Sequence, residues 1–278
     1  VNNLKMIDAH VHFWKYNKIK DAWITDEMQS LQRDFLPEDL QPVLQENQVS
    51  AIVAVQADQS ENETNFLLQL SKQNSLIKGI VGWVDLQNKN VENKLLYYSK
   101  LPVIKGFRHI VQAEPHGFLK NELFLNGIKS LQKFGFTYDV LIYENQLKEA
   151  IEFVNKFPAQ KFIIDHCAKT SIKNNRISEW KKGMIEMAKN ENVFCKVSGL
   201  ITEAKWNDWN EKDFYPYLDV VFDSFGTNRI LFGSDWPVML LSGTYSKWKN
   251  LLKNYLLQFS DEEKQKVFGK NAIKFYNL

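Results

Sequence analysis

Eight short apolar runs, rich in β-branched and aromatic residues, recur along the chain near positions 5–10, 51–56, 79–84, 104–109, 137–142, 162–166, 193–197 and 230–233. Between them the apolar positions return every three or four residues, near 37–48, 61–73, 91–99, 122–134, 146–156, 177–189, 214–225 and 246–257. The runs read as strands and the intervening spacing as amphipathic helices. In the first helix Pro37 stands at the start, with Leu40, Val43 and Leu44 on one face. A last helix opens at Ser260, an N-cap serine followed by the acidic first turn Asp261-Glu262-Glu263. Eight strand–helix repeats in 278 residues predict one (β/α)8 barrel over residues 1–278, since such barrels typically take ~250 residues. A doubly wound open sheet is the alternative, but no glycine-rich phosphate loop follows any strand. No linker, repeat or low-complexity segment divides the chain. The stretch 12–37 has no clear period and reads as an elaborated first loop over the barrel mouth.

Barrel enzymes carry their chemistry at the carboxyl ends of the strands, and three runs end there in ionisable residues. Met6-Ile7-Asp8-Ala9-His10-Val11-His12 ends the first run with two histidines. Residues two apart in a strand point the same way, so the imidazoles converge on one spot. That arrangement suits a metal ion or a polarised carbonyl. Lys161-Phe162-Ile163-Ile164-Asp165-His166 ends in His166, and Ile230-Leu231-Phe232-Gly233-Ser234-Asp235 ends in Asp235 before Pro237 breaks the strand. Asp235 can hold a metal ion or take a proton from water. His166 can polarise a carbonyl or complete a metal shell. Arg108 and His109 close the fourth run, and as strand neighbours only one of them can point into the mouth. Each has a plain structural alternative: a helix-capping aspartate, hydrogen-bonded core histidines, a salt bridge at the barrel rim.

The balance of 35 basic and 33 acidic residues leaves a net charge of +2, which argues against a nucleic-acid or anionic-membrane partner. Cys167 and Cys195 lie in or just after apolar strands and read as buried thiols in a reducing compartment. Apolar stretches fall well short of the ~20 residues of a membrane helix. Residues 1–5 lead straight into the first strand without room for a secretory leader, so the expected location is the cytoplasm.

The His-x-His of the first strand, Lys105-Gly106-Phe107-Arg108-His109, Asp165-His166-Cys167-Ala168-Lys169 and Gly233-Ser234-Asp235-Trp236-Pro237 together resemble the amidohydrolase superfamily. The resemblance is closest to its second family, in the branch of sugar lactonases of the L-fucono- and L-rhamnono-lactonase type and predicted metal-dependent hydrolases. It runs from Met6 to about Trp248, with Gly82-Trp83-Val84-Asp85 and Thr202-Glu203-Ala204-Lys205-Trp206 also fitting. Thr170 departs from the proline usual at that point of the branch, and the fifth strand offers no histidine for a bridging ligand.

The resemblance implies a hydrolase that opens a sugar lactone, with Asp235 activating water and His166 assisting as catalytic residues. Arg108, His109, Lys169, Trp83, Glu203 and Trp206 are the implied substrate-binding residues. His10, His12, His166 and Asp235 are the implied ligands of a divalent metal, zinc by their nitrogen-rich character. Because the middle strands lack a bridging ligand, the metal is expected to be weakly held or dispensable. Trp14, Trp83, Trp206 and Trp236 are expected to line the mouth and stack on the sugar. The expected partner is a small-molecule sugar lactone, with no nucleic acid and no membrane, and a homo-oligomer is left open. A metal-dependent amide hydrolase, a non-oxidative decarboxylase on the same scaffold and a non-catalytic binding barrel are the competing readings.

Overall fold

The computed structural model describes residues 6–278, so the expected strand position at Lys5 lies outside the described residues. One parallel sheet follows sequence order: β1 (Met6–Val11), β2 (Val49–Val55), β3 (Ile77–Gly82), β4 (Ile104–His109), β5 (Thr137–Val140), β6 (Phe162–Ile164), β7 (Val193–Val197) and β8 (Ile230–Phe232). The helices α1 (Pro37–Glu46), α2 (Glu61–Gln73), α3 (Val91–Tyr98), α4 (Glu122–Lys133), α5 (Leu147–Val154), α6 (Ser178–Ala188), α7 (Tyr215–Phe225) and α8 (Tyr245–Tyr255) alternate with them. This is the (β/α)8 barrel that the alternation predicts.

The sheet closes at its carboxyl end. There the His12 N–H donates to the Trp236 carbonyl at 2.7 Å and the Asp235 N–H to the His10 carbonyl at 2.9 Å. The bonds that join the last strand to the first therefore also fix three of the four expected functional residues. Pairing of β1 with β2 shifts register between Asp8 and Val11. Asp8 is drawn away by the Tyr245 hydroxyl, at 2.8 Å, and accepts from the Ser234 N–H at 2.8 Å. Its neighbour His10 is left facing the barrel interior.

Neighbouring strand residues face opposite sides, and the core divides accordingly. Ile52, Ala54, Phe107, Tyr138 and Phe232 join the large cluster that includes the helices, while Ile7, Val53, Val81, Ile163 and Leu231 cluster with Phe275 and Tyr276. The latter two belong to the carboxyl-terminal helix. It starts at Ser260 with a capping box to Glu263 and continues as α9 (Asp261–Gln265), a π-turn and α10 (Asn271–Tyr276). It plugs the barrel from below, each buried large side chain contributing roughly 1.5–3 kcal/mol.

The long first loop is pinned across the mouth where Trp14 and Phe35 exchange backbone hydrogen bonds at 3.0 and 2.9 Å. The rings of Trp14 and Trp236 pack edge-to-face on Phe35, both with centroids 5.3 Å away. Among the described residues no helix is long and apolar enough to cross a membrane.

Candidate active site

The carboxyl end of the barrel opens into a pocket of about 270 Å³ whose wall includes His12, Arg108, His166, Lys169 and Asp235. Asp235 lines it in the left-handed conformation, φ 63°, which for a non-glycine residue stores strain of order ~1–3 kcal/mol. Its Oδ1 lies 3.3 Å from His12 Nε2 and 3.8 Å from both His10 Nε2 and His166 Nε2. The two first-strand imidazoles meet at 3.1 Å between their Nε2 atoms. His166 opens a run of four residues, through Lys169, that all hold positive φ. That turn leads the chain sharply out of β6 and leaves the imidazole at the mouth. Gly199, at φ 64°, makes room for it: a Cβ there would stand 2.6 Å from His166 Nδ1 and 3.0 Å from Asp235 Oδ2.

Burial determines the protonation of these groups. It lowers His10, where the nearby Lys196 adds to the effect, and lowers His12 against the opposing pull of Asp235. His166 falls to about 4, again through burial, with Asp235 and Asp165 opposing. Burial alone would raise Asp235, but the charge that the surrounding histidines, His166 foremost, carry at low pH outweighs it and holds the carboxyl below the usual range. At neutral pH the site is therefore an ionised carboxylate among neutral imidazoles, the state a general base requires.

The His166 shift has a measurable consequence. Its folded value of about 4 lies under the free value of 6.5, so the unfolded chain binds the proton first as pH falls. The contribution of His166 to stability is constant above pH 6.5 and declines toward pH 4, by about 3 kcal/mol in all. Denaturant unfolding of the parent and His166→Gln should diverge in that window: the parent's stability relative to the variant shrinks between pH 6.5 and 4. A constant difference across that range would contradict a buried neutral imidazole.

A second layer of charge lies beneath. Lys196, fully buried on β7, bonds to the Asp139 carboxylate and stands 3.0 Å from Asp165 Oδ1 and 3.2 Å from His10 Nδ1. Its three N–H groups thus face three acceptors. Tyr276 of the plugging helix donates to Asp139 at 3.0 Å. Burial raises Asp139 to about 6 against the pull of Lys196, whereas Lys196 and His10 overcome burial at Asp165 and lower it well below the usual range. Arg108 joins this layer to the mouth: Nη1 is 3.1 Å from Asp165 Oδ2 and 3.3 Å from His10 Nε2, and Nη2 donates to the Gln56 carbonyl. Asp139 and Lys196 escape a reading that looks only at strand ends: their signal in the sequence is a lone charge inside an apolar strand, which needs a partner when buried. Asp165 does stand at a strand end, directly after β6 and beside His166.

The donor set can hold a metal ion. His10, His166 and Asp235 offer ligand atoms that all lie within 4.8 Å of one another. His12 adds an Nε2 whose lone pair is free, because its Nδ1–H donates to the Val55 carbonyl at 2.8 Å. The Nδ1 of His166 is likewise engaged, by Ser198 Oγ at 2.9 Å. Such partners on the far nitrogen orient histidine ligands. His10 is open to two states, since Nδ1 faces both the Lys196 ammonium and, at 3.5 Å, Asp165. Accepting from the ammonium leaves the proton on Nε2 and makes His10 a donor into the mouth. Donating to Asp165 bares Nε2 and makes it a ligand. The fifth strand supplies no histidine but a carboxylate, and Lys196 is the cation beside it.

Of the expected substrate-binding residues, Arg108 and Lys169 line the pocket. His109 points away, as strand alternation beside Arg108 requires. Its Nε2–H donates to Glu114 at 2.8 Å, its Nδ1 accepts from Trp83 Nε1 at 3.4 Å, and its ring stacks on Phe118. Trp83 is thereby held behind the wall as well. Trp206 donates its indole N–H to the Thr202 carbonyl at 3.0 Å, and Glu203 is half-buried near Lys169 and Asp235 without lining the pocket. Trp14, Trp83, Trp206 and Trp236 do not line the mouth, and Trp23 of the first loop does. Cys167 and Cys195 are free, buried thiols with Sγ atoms 3.8 Å apart.

Residues 7–278 match the amidohydrolase family model. An L-fucono-1,5-lactonase of Burkholderia multivorans is 33% identical over 284 residues, which span 98% of this chain and 96% of that protein. An L-fucono-1,5-lactonase of Burkholderia ambifaria is 31% identical over 98% of this chain and 95% of that protein. The crystal structure of an amidohydrolase from Burkholderia multivorans with bound zinc superposes with a TM-score of 0.95, at 33% identity over 98% of this chain and 99% of that one. With its barrel closed through Asp235 and its histidines gathered at the carboxyl mouth, the chain belongs to the amidohydrolase family.

Proposed function

We propose that this protein hydrolyses sugar lactones, six-carbon aldonolactones of the L-fucono or L-rhamnono type. The observation that carries the reading is the ionised Asp235 carboxylate, held by three neutral imidazoles at the floor of a small pocket. A water beside Asp235 loses its proton to the carboxylate as its oxygen bonds to the lactone carbonyl carbon. The carbonyl oxygen, gaining charge, is stabilised by the N–H groups of Arg108 and by the imidazoles of His10 and His166. When the ring C–O bond breaks, the departing oxygen takes the proton back from Asp235, and the product is the open hydroxy acid. The two lactonase relatives, 33% and 31% identical over nearly the whole chain, support this substrate class.

His10, His12, His166 and Asp235 would hold a divalent cation, for which zinc suits the nitrogen-rich set. Such an ion supplies Lewis-acid polarisation of the lactone carbonyl. Lys169 and Trp23, both in the pocket wall, would contact the sugar as a hydrogen-bond donor and as an apolar ring face.

The test is a pH-indicator assay across aldonolactones, simple amides, aromatic carboxylates and phosphate esters, run with and without chelator. L-Fucono- and L-rhamnono-lactone should be opened far faster than any amide or phosphate ester. Amidase or decarboxylase turnover without lactonase activity would show that the site serves a different reaction.

A further inference from the structure

We propose that Lys196 is a positioning residue that holds the proton of the His10 ring on Nε2, so that a metal ion enters the mouth only by displacing the Lys196–His10 bond. The inference deepens the reading above and rests on its metal ligands, not on its lactone. Hydrogen-bond donors and acceptors around the ring carry it. The Lys196 ammonium has three N–H groups and can accept nothing. It meets the Asp139 carboxylate, Asp165 Oδ1 at 3.0 Å and His10 Nδ1 at 3.2 Å, with all of these side chains buried. With the ring proton on Nδ1, the third ammonium proton would face an N–H instead of an acceptor, and a buried donor left without one is costly.

The opposite nitrogen of the ring gives the same answer independently. His12 donates its Nδ1–H to the Val55 carbonyl at 2.8 Å, so its Nε2 is an acceptor, and that atom lies 3.1 Å from His10 Nε2. Two bare lone pairs at this distance repel, whereas a proton on His10 Nε2 makes the contact a hydrogen bond. Asp235 Oδ1, a second acceptor, stands 3.8 Å from the same nitrogen. Against these, Arg108 Nη1 faces it as a donor at 3.3 Å, but the closer partner of that group is Asp165 Oδ2 at 3.1 Å.

A protonated nitrogen cannot also be a ligand. His10, His166 and Asp235 offer one set of ligand atoms within 4.8 Å of one another, and His10, Asp139 and Asp165 offer another. Lys196 bonds to all three members of the second set, which is thereby filled by a cation of the chain itself. For His10 to join the first set, a proton leaves Nε2 and one is placed on Nδ1, where Asp165 Oδ1 at 3.5 Å accepts it. The ring stays neutral throughout. The ammonium keeps its two carboxylates and gives up the imidazole. Lys196 therefore sets the metal affinity of the mouth through His10, without touching metal or substrate.

The test reads the ring directly. Long-range ¹H–¹⁵N NMR of the chelator-treated protein, labelled with ¹⁵N-histidine, separates protonated from bare ring nitrogens, and His10 is the signal missing from His10→Gln. The metal-free parent should carry the proton on Nε2, and zinc should move it to Nδ1. The second protein is Lys196→Met with Asp139→Asn, which removes one positive and one negative charge and so keeps the net charge beneath the site. It should shift metal-free His10 toward Nδ1–H and tighten the zinc Kd, read by competition with a chromophoric chelator, about 10- to 100-fold. A metal-free parent with the proton on Nδ1 overturns the proposal, as does a zinc-loaded parent with the proton still on Nε2. A folded double variant whose zinc Kd or His10 tautomer matches the parent's overturns it too. Should that variant fail to fold, the tautomers of the parent decide alone. None of these readouts uses a lactone, so a protein inactive on lactones would remove the proposed function and leave the Lys196 assignment standing.

Discussion

Asp235→Asn is expected to lower lactone turnover about 10²–10⁴-fold while the protein remains folded, because the change removes a general base and keeps the shape of the side chain. The Oδ1 atom faces the three histidines, and Oδ2 lies close to Gly199, where a Cβ would stand 3.0 Å from it. An amide fills the same volume but cannot take the proton from water. The loss should fall on kcat more than on KM, since the proton is transferred only in the transition state. Near-parental kcat in a folded Asp235→Asn protein would make Asp235 a structural residue and move the base elsewhere.

Lys196→Met is expected to destabilise the protein by about 3–5 kcal/mol, the usual result of removing one partner of a buried ion pair. The ammonium answers to Asp139 and Asp165 at once, and all three side chains are buried. Methionine matches the stem but leaves two carboxylates facing each other and His10 without solvent. Against a typical total stability of ~5–15 kcal/mol this is a large fraction. Urea unfolding of the parent and the variant measures it. Removing one of the stranded charges as well, in Lys196→Met with Asp139→Asn, should recover part of the loss. Equal stability of the parent and Lys196→Met would mean that the charges beneath His10 do not depend on one another.

The two expectations concern different layers of one site, and the layers were unequally legible in the sequence. His10, His12, His166 and Asp235 end apolar runs, where strand alternation and the barrel rule place side chains at one mouth, and the fold brings them within 4 Å of a common oxygen or of each other. Lys196 and Asp139 lie inside β7 and β5, where a single charge is easily passed over as a surface-facing residue of an apolar run. Only closing the barrel reveals that both face its axis and each other. The pairing of Tyr276 with Asp139 joins residues 137 positions apart and has no local signal.

Aromatic loop residues were the least legible. Tryptophan content suggests a stacking mouth, but which indole reaches it depends on how the first loop is pinned. Trp14 and Phe35 bridge its two ends, bury Trp14 and leave Trp23 at the pocket. The β1 irregularity at Asp8 is equally hidden, since it depends on Tyr245 from α8. By contrast the helices were readable nearly to the residue. Capping by Ser260 and the proline at Pro37 are local chemistry, written in adjacent positions.

The central claim is that water activated at Asp235 attacks the lactone carbonyl, and oxygen-18 labelling reads the bond that breaks. L-Fucono-lactone opened by the enzyme in ¹⁸O water, at a rate well above spontaneous opening, should carry the label in the new carboxylate and leave the ring-derived hydroxyl unlabelled. Label in that hydroxyl would place the attack on the alkyl carbon and contradict the mechanism.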